Sequence, residues 1–189
     1  MSAILTSPPA IEPVSLAEAK AHLRISHADE DQLISTLITT ARWSVEAATG
    51  LRLITQGWSV FSDQWPADGV LALAVAPLSA VNDLKVYGED DVAQAIDPEL
   101  YVVDLVSRPP RLLLRADGVW TKPGRIANGI EVLVTAGFGP AASAVPEPLR
   151  QAMLKLVAHW FAHRGDDEGT RAAPPSVAAL LAPFREARL

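Results

Sequence analysis

Residues 29–61, DEDQLISTLITTARWSVEAATGLRLITQGWSVF, decide the fold because the hydrophobic period changes within them. Up to Gly50, apolar side chains recur every three or four residues, which predicts one buried face of a helix. This face comprises Leu33, Leu37, Ile38, Ala41, Val45 and Ala48. The acidic run Asp29-Glu30-Asp31 suits the first turn of that helix, and Gly50 suits a left-handed C-cap. Beyond Gly50 the pattern alternates, as strands do.

The region after Gly50 is rich in β-branched and aromatic residues, interrupted by Gly, Pro, Asn and Asp clusters that favour turns. The predicted strands are Leu53–Phe61, Val70–Val75, Val81–Tyr87, Tyr101–Val106, Arg111–Arg115 and Ile130–Ala136. Gly137, Gly139 and Pro140 end the last strand. The following Pro146-Glu147-Pro148 predicts a third long helix, which continues to His163 and packs on the second.

Upstream of the acidic run, residues 1–14 contain Pro8, Pro9 and Pro13 and predict an extended N-terminal arm. Regular structure begins at Ser15. Ser15 and Glu18 have the spacing of a capping box, which predicts a short helix ending near Arg24.

These elements predict an α+β fold in which both ends of the chain build a helical bundle. Residues 15–50 and 146–164 form this helical scaffold, and residues 51–145 form an inserted small antiparallel β-sheet domain. Residues 165–189 are interpreted as a hinge and a C-terminal interaction segment. The loop Arg164–Pro175, which begins at the last residue of the scaffold, is charged and contains proline, and a last helix is predicted from Ser176 to about Ala187.

The composition excludes several kinds of chemistry. The chain has 189 residues and no cysteine, so disulfides, thiolate metal sites and thiol nucleophiles are excluded. The net charge of −6 argues against a protein that clamps nucleic acid through phosphates. No apolar run predicts a membrane span or a signal peptide, so we expect synthesis and use in the cytoplasm, without a membrane.

The strongest catalytic-looking motif is a histidine pair. His159 and His163 lie one helical turn apart and could share a metal ion, with Asp166, Asp167 or Glu168 as a third ligand. The position after the first histidine is Trp160, whereas zinc peptidases carry a glutamate there as the general base. Because this glutamate is missing, a metal-binding protein or hydrolase that uses the two histidines is kept only as the alternative function. The favoured interpretation has no catalytic residue, no metal and no cofactor.

Basic residues are scattered through the strand region. They are Arg108, Arg111, Arg115, Lys122 and Arg125. This number of cations could support weak, salt-sensitive binding of DNA. A mixed-charge surface without an aromatic stacking platform is the preferred interpretation, and a DNA-binding accessory protein remains a further option.

Residues 177–185, VAALLAPFR, form an apolar stretch near the C-terminus, separated from the body by the predicted hinge. Its side chains must pack either on their own protein or on a neighbour. The sequence alone does not choose between these two.

Four stretches, in this order, resemble the head-tail connector (adaptor) family of tailed bacteriophages and gene transfer agents. They are SLAEAKAHLR at 15–24 with the acidic run behind it, the helix 33–50 with Ala41-Arg42 and Val45-Glu46, VTAGFG at 134–139 leading into VPEPLRQA at 145–152, and LLAPFR at 180–185. Together they cover about a quarter of the chain, near both of its ends.

The resemblance implies a structural protein of the neck of a virion or phage-like particle, and no enzyme. Its copies would form a ring, usually of twelve, beneath the portal protein, although the isolated chain can remain monomeric. Double-stranded DNA would pass through the lumen without specific binding, and the next neck (stopper) or tail protein would bind below. The resemblance also implies portal-binding residues in the tail, at Leu180, Leu181, Pro183, Phe184 and Arg185.

Overall fold

The computed structural model describes residues 1–115, 120–164 and 174–185. The chain divides into two compact units. The β unit combines Met1–Pro9 with Thr55–Phe138, and the helical unit combines Ala10–Ile54 with Gly139–Leu189. The predicted α+β class is confirmed. No helix within the described residues is long and apolar enough to cross a bilayer.

The helical unit is built from sequence-distant segments. Its helices are α1 (Leu16–Leu23), α2 (Asp31–Thr49), α3 (Glu147–Ala162) and α4 (Pro175–Leu181), with 3-10 turns at Ala142–Ala144 and Ala182–Phe184. Helix α3 packs against α2, as predicted, and also against α1 and α4. The interior of this unit therefore depends on α3 meeting helices from both ends of the chain.

The predicted helix boundaries at the N-terminal end are confirmed. The Ser15 hydroxyl accepts a hydrogen bond from the Glu18 amide at 3.2 Å, and the Ser15 amide donates to the Glu18 carboxylate at 2.8 Å. This reciprocal pair satisfies two amides that the first turn of α1 would leave unbonded. Helix α2 ends at Gly50, whose φ of 76° is the left-handed conformation that glycine adopts without strain.

The buried face of α2 differs from the predicted one. Fully buried apolar positions are Ile34, Ile38, Ala41 and Val45, whereas Leu33 and Leu37 are half-buried and Ala48 is exposed. The physical reason is that α2 also buries the polar side chains of Arg42 and Glu46. The buried face of α2 is therefore centred between the apolar positions and these two polar residues, and Leu33, Leu37 and Ala48 lie at its edge or outside it.

The β unit holds eight strands in two antiparallel sheets among the described residues. They are β1 (Ser2–Ser7), β2 (Gln56–Ser62), β3 (Val70–Ala72), β4 (Leu78–Tyr87), β5 (Ala93–Ala95), β6 (Tyr101–Asp104), β7 (Arg111–Leu114) and β8 (Ile130–Ala136). The larger sheet has the order β1-β2-β8-β4-β5, and the smaller one has the order β3-β7-β6. Strand β8 alternates buried and half-buried residues, as a strand with one core face should.

Several predicted boundaries were wrong. The N-terminal residues, expected as an arm, include β1, which is paired with β2 at the edge of the larger sheet. Strand β5 was not predicted at all. Strand β2 begins at Gln56 rather than Leu53, because Leu53 and Ile54 are fully buried in the helical unit. Six predicted strands therefore became eight.

The last helix is also shorter than predicted. Helix α4 ends at Leu181 and continues only as a 3-10 turn, Ala182–Phe184, instead of reaching Ala187. Pro183 lacks an amide hydrogen and its ring disfavours a continuing α-helix, which accounts for the early end. Residue 187 itself lies outside the described residues.

Candidate functional site

The C-terminal segment is docked on the helical unit in the isolated chain. Val177 and Leu181 of α4 are buried, with Leu181 only 3% exposed, and α4 packs mainly on α3. Leu180 and Phe184 are half-buried, and the intervening Pro183 is exposed. The apolar side chains at the start of this segment thus face their own protein.

The five residues predicted to bind a portal therefore fall into two groups. The first group is Leu180 and Leu181. Leu181 is buried and fixes α4 on the helical unit, and Leu180 is half-buried. Pro183, Phe184 and Arg185 follow the end of α4 and retain accessible surface. An aromatic ring next to a guanidinium is a combination that protein interfaces favour. The part of the segment available to a partner is its tip.

The histidine pair does meet on one face of α3. The imidazole rings of His159 and His163 have centroids 4.6 Å apart. However, Nδ1 of His163 lies 2.7 Å from the carbonyl oxygen of His159. Because a carbonyl oxygen only accepts hydrogen bonds, Nδ1 is the protonated ring nitrogen and donates a hydrogen bond to the backbone. Among the described residues, no group of three or more potential ligands surrounds a common point. Asp166, Asp167 and Glu168 lie outside the described residues.

We expect the purified protein to contain no stoichiometric zinc or nickel, since among the described residues the two histidines have no third ligand beside them and would leave a tetrahedral site half-filled. Elemental analysis of the wild-type chain and of the His159→Ala/His163→Ala variant measures this directly. Equal, substoichiometric metal in both is the expected result. One metal per chain in the wild type, lost in the variant, would establish the metal-binding alternative.

Two of the five scattered basic residues are paired with carboxylates. Arg111 donates to Asp104 at 2.9 Å, and Arg125 donates to Asp91 at 2.5 Å while its guanidinium covers the Tyr87 ring. Hydrogen bonds from Ser107, followed by the one from Arg111, hold the pKa of Asp104 well below its usual range. Asp104 therefore remains ionised at physiological pH and keeps Arg111 paired. Such pairing weakens the case for a phosphate-binding face.

The structure assembles a polar cluster in the larger sheet that the sequence did not reveal. The Glu131 carboxylate on β8 accepts hydrogen bonds from Ser59 on β2 at 2.8 Å and from Tyr87 on β4 at 2.6 Å. The bond to Glu131 raises the pKa of Tyr87, which makes the phenol a poorer acid and not an activated nucleophile. This cluster links the neighbouring strands β2, β8 and β4 through side-chain hydrogen bonds. It therefore stabilises the larger sheet.

A second polar network occupies the motif Ala41-Arg42 and Val45-Glu46. Arg42 donates to Glu12 at 2.8 Å and to Glu46 at 3.2 Å, and Glu46 also accepts the Leu53 amide at 2.9 Å. The network ties the segment before α1 and the segment after α2 to the middle of α2. These charges are nearly inaccessible, with each of the Arg42 and Glu46 side chains 9% exposed.

The motif before α3 makes a corresponding link at the other end of the chain. Arg150 donates to the Pro13 carbonyl at 3.0 Å and to Glu147 at 2.8 Å, and it also pairs with Glu18 of the α1 capping box. Hydrogen bonds from Ser15, assisted by Arg150, lower the pKa of Glu18. Glu18, Arg42, Glu46 and Arg150, which belong to the stretches that carry the family resemblance, thus tie α1, α2 and α3 to the segments around them.

Comparison with known proteins confirms the predicted relationship. Residues 13–96 match the model of the phage gp6-like head-tail connector protein family. The comparison with curated proteins found no match.

Solved structures share the whole fold. A chain in the neck of an empty gene transfer agent particle, computed with C6 symmetry, is 24% identical with a TM-score of 0.85 over 100% of this chain and 97% of that one. A chain in the virion of a native gene transfer agent particle is 24% identical with a TM-score of 0.83 and the same coverage. A chain in the neck of a native particle, computed with C12 symmetry, is 26% identical with a TM-score of 0.78 over 98% and 97%.

Proposed function

We propose that this chain, which is a head-tail connector protein related to the phage gp6-like family, is the structural adaptor between a capsid portal and the tail of a phage or phage-like particle. The observation that carries the proposal is the likeness to chains of gene transfer agent necks over essentially the full length of both proteins.

We further propose that copies of the chain form a ring. The neck structures with similar chains were computed with C6 and C12 symmetry, which fits a ring of twelve. Contacts between two different surfaces of identical subunits close into a ring when the rotation per copy permits. The helical unit would supply these contacts and face the portal, while the β unit would help to recruit the next neck or tail protein.

A ring of this protein would extend the DNA channel without gripping the duplex. Each copy carries a formal charge of −6, and a lumen with excess negative charge repels the phosphate backbone. Two of the candidate phosphate-binding arginines are already paired with aspartates. The duplex would therefore slide through the ring during packaging and ejection, and the protein would act without catalysis.

The tip of the C-terminal segment is the proposed anchor on the portal. Leu180 and Leu181 would hold α4 in position, so that Pro183, Phe184 and Arg185 reach the partner together. Burial of Leu181 within the helical unit supports this division of roles. The anchor is then presented by a folded helix rather than by a free chain end.

We expect the purified chain to scatter light as a small species and to form a large complex only when purified portal is added, because the portal supplies the template for ring closure. Static light scattering of the chain, of the portal and of their mixture provides the measurement. Bovine serum albumin at the same concentration is the control for non-specific crowding. A mixture whose scattering equals the sum of its components would contradict the proposed function.

A further inference from the structure

The outer face of α2 has a composition that is unusual for a solvent-exposed helix. The Trp43 stripe, as we define it, consists of Gln32, Thr36, Thr39, Thr40, Trp43 and Ala47. All six residues are exposed and lie within about 100° of arc on the helix. None of them is charged. Trp43, near the middle of α2, is 63% exposed, although exposed faces of helices are normally charged or polar.

The threonine hydroxyls of the stripe already have partners inside the protein. Thr36 donates to the Gln32 carbonyl at 3.0 Å, and Thr40 donates to the Thr36 carbonyl at 2.8 Å. Thr39 donates to the Glu12 carboxylate at 3.0 Å. A hydroxyl that keeps its hydrogen bond loses little when water is removed from around it. The stripe can therefore be covered by another surface at low desolvation cost.

An exposed apolar residue also lies in the segment that Glu12 ties to α2. Glu12 bonds to both Thr39 and Arg42, which holds the segment before α1 alongside α2. Ile11, the residue before Glu12, is 44% exposed. An exposed tryptophan among uncharged side chains has the character of the centre of a protein interface.

We propose that the Trp43 stripe is the surface through which one copy of this chain binds the next copy. The inference rests on the proposed ring and assigns its subunit contact. Identical subunits with a charge of −6 repel one another, so their contact is favoured where charge is absent. Thr36, Thr40 and Ala47 also leave room for a neighbouring element to approach α2 closely.

Photo-crosslinking in assembled particles tests the proposal. Benzoylphenylalanine replaces Trp43 in the full-length chain, and the particles are irradiated after purification. We expect a covalent product of twice the 20.2 kDa subunit mass that contains only this chain. The matched control carries the same group in place of Ile126, which is 95% exposed but belongs to the β unit. This control should give little or none of that product.

The outcomes separate the interface from the function. An adduct of position 43 with a different protein, or no adduct although the chain is present in the particle, would overturn the interface and leave the adaptor role standing. An equal homodimer adduct from position 126 would also overturn it, since collisions would then explain the product. Absence of the wild-type chain from purified particles would overturn the proposed function and the subunit contact with it.

A substitution provides an independent measurement. Trp43→Ala should weaken the contact between neighbouring copies on the portal by roughly thirtyfold per contact, the loss typical of a tryptophan anchor. Sedimentation velocity of the portal with increasing concentrations of each chain measures the change. Far-UV circular dichroism should be unaltered, because the side chain is exposed. Assembly of the wild type and of Trp43→Ala on the portal with the same concentration dependence would refute the assignment.

Discussion

Changing both Phe184 and Arg185 to alanine is expected to reduce binding of the chain to the portal by at least about a hundredfold, because aromatic and arginine anchors each cost about 2 kcal/mol or more when truncated. Binding through many copies in a ring multiplies the effect of each lost contact. The fold should survive, since Val177 and Leu181 still fix α4. Co-sedimentation of the variant with purified portal measures the loss.

The matched control for this experiment is Val106→Ala/Arg108→Ala. It removes an exposed apolar side chain and an exposed guanidinium two residues apart, but from the β unit. Its binding should equal that of the wild type. Full portal binding by the Phe184→Ala/Arg185→Ala variant would show that the tip of the tail is not the anchor.

Leu181→Ala distinguishes a scaffold role from a contact role. Because Leu181 is buried, its truncation should lower the melting temperature of the chain, in contrast to the changes at the tip. The sequence could not make this distinction. Leu180, Leu181 and Phe184 are all apolar. Which of them is buried within the chain's own helical unit depends on where α3 contacts α4.

Local signals predicted the parts of the fold that depend on neighbouring residues. Ser15 and Glu18 are three residues apart, and Gly50 follows the last turn of α2, so their roles could be recognised directly. Strand β1 could not be recognised, because all six of its residues are exposed and no hydrophobic alternation marks it. Its strand conformation comes from pairing with β2, more than fifty residues away.

The candidate functional residues show the same contrast between features set by neighbouring residues and features set by distant ones. His159 and His163 were correctly placed on one helical face, because a four-residue spacing fixes that. The exposure of Trp43 also follows from helical spacing, since Trp43 lies on the side of α2 opposite Ala41 and Val45. The burial of Arg42 and Glu46 could not be recognised in this way, because Glu12, which bonds to Arg42, lies thirty residues away from it.

Truncation of Glu46 to alanine is expected to destabilise the helical unit by about 3 kcal/mol. The change removes one partner of the buried Arg42 and leaves the Leu53 amide without its acceptor. A buried charge or amide that loses its partner carries the full cost of its desolvation. For a chain of this size the melting temperature should fall by roughly 6–12 °C, measured by differential scanning calorimetry.

Glu46→Gln and Glu147→Ala complete this experiment. Glutamine retains a carbonyl acceptor for Leu53 and should lose less stability than alanine does. Glu147 pairs with Arg150 at the exposed start of α3, and an exposed ion pair contributes little, so Glu147→Ala should change stability by less than about 1 kcal/mol. If Glu46→Ala proves no more harmful than Glu147→Ala, the network around Arg42 is not what holds the ends of α2 in place.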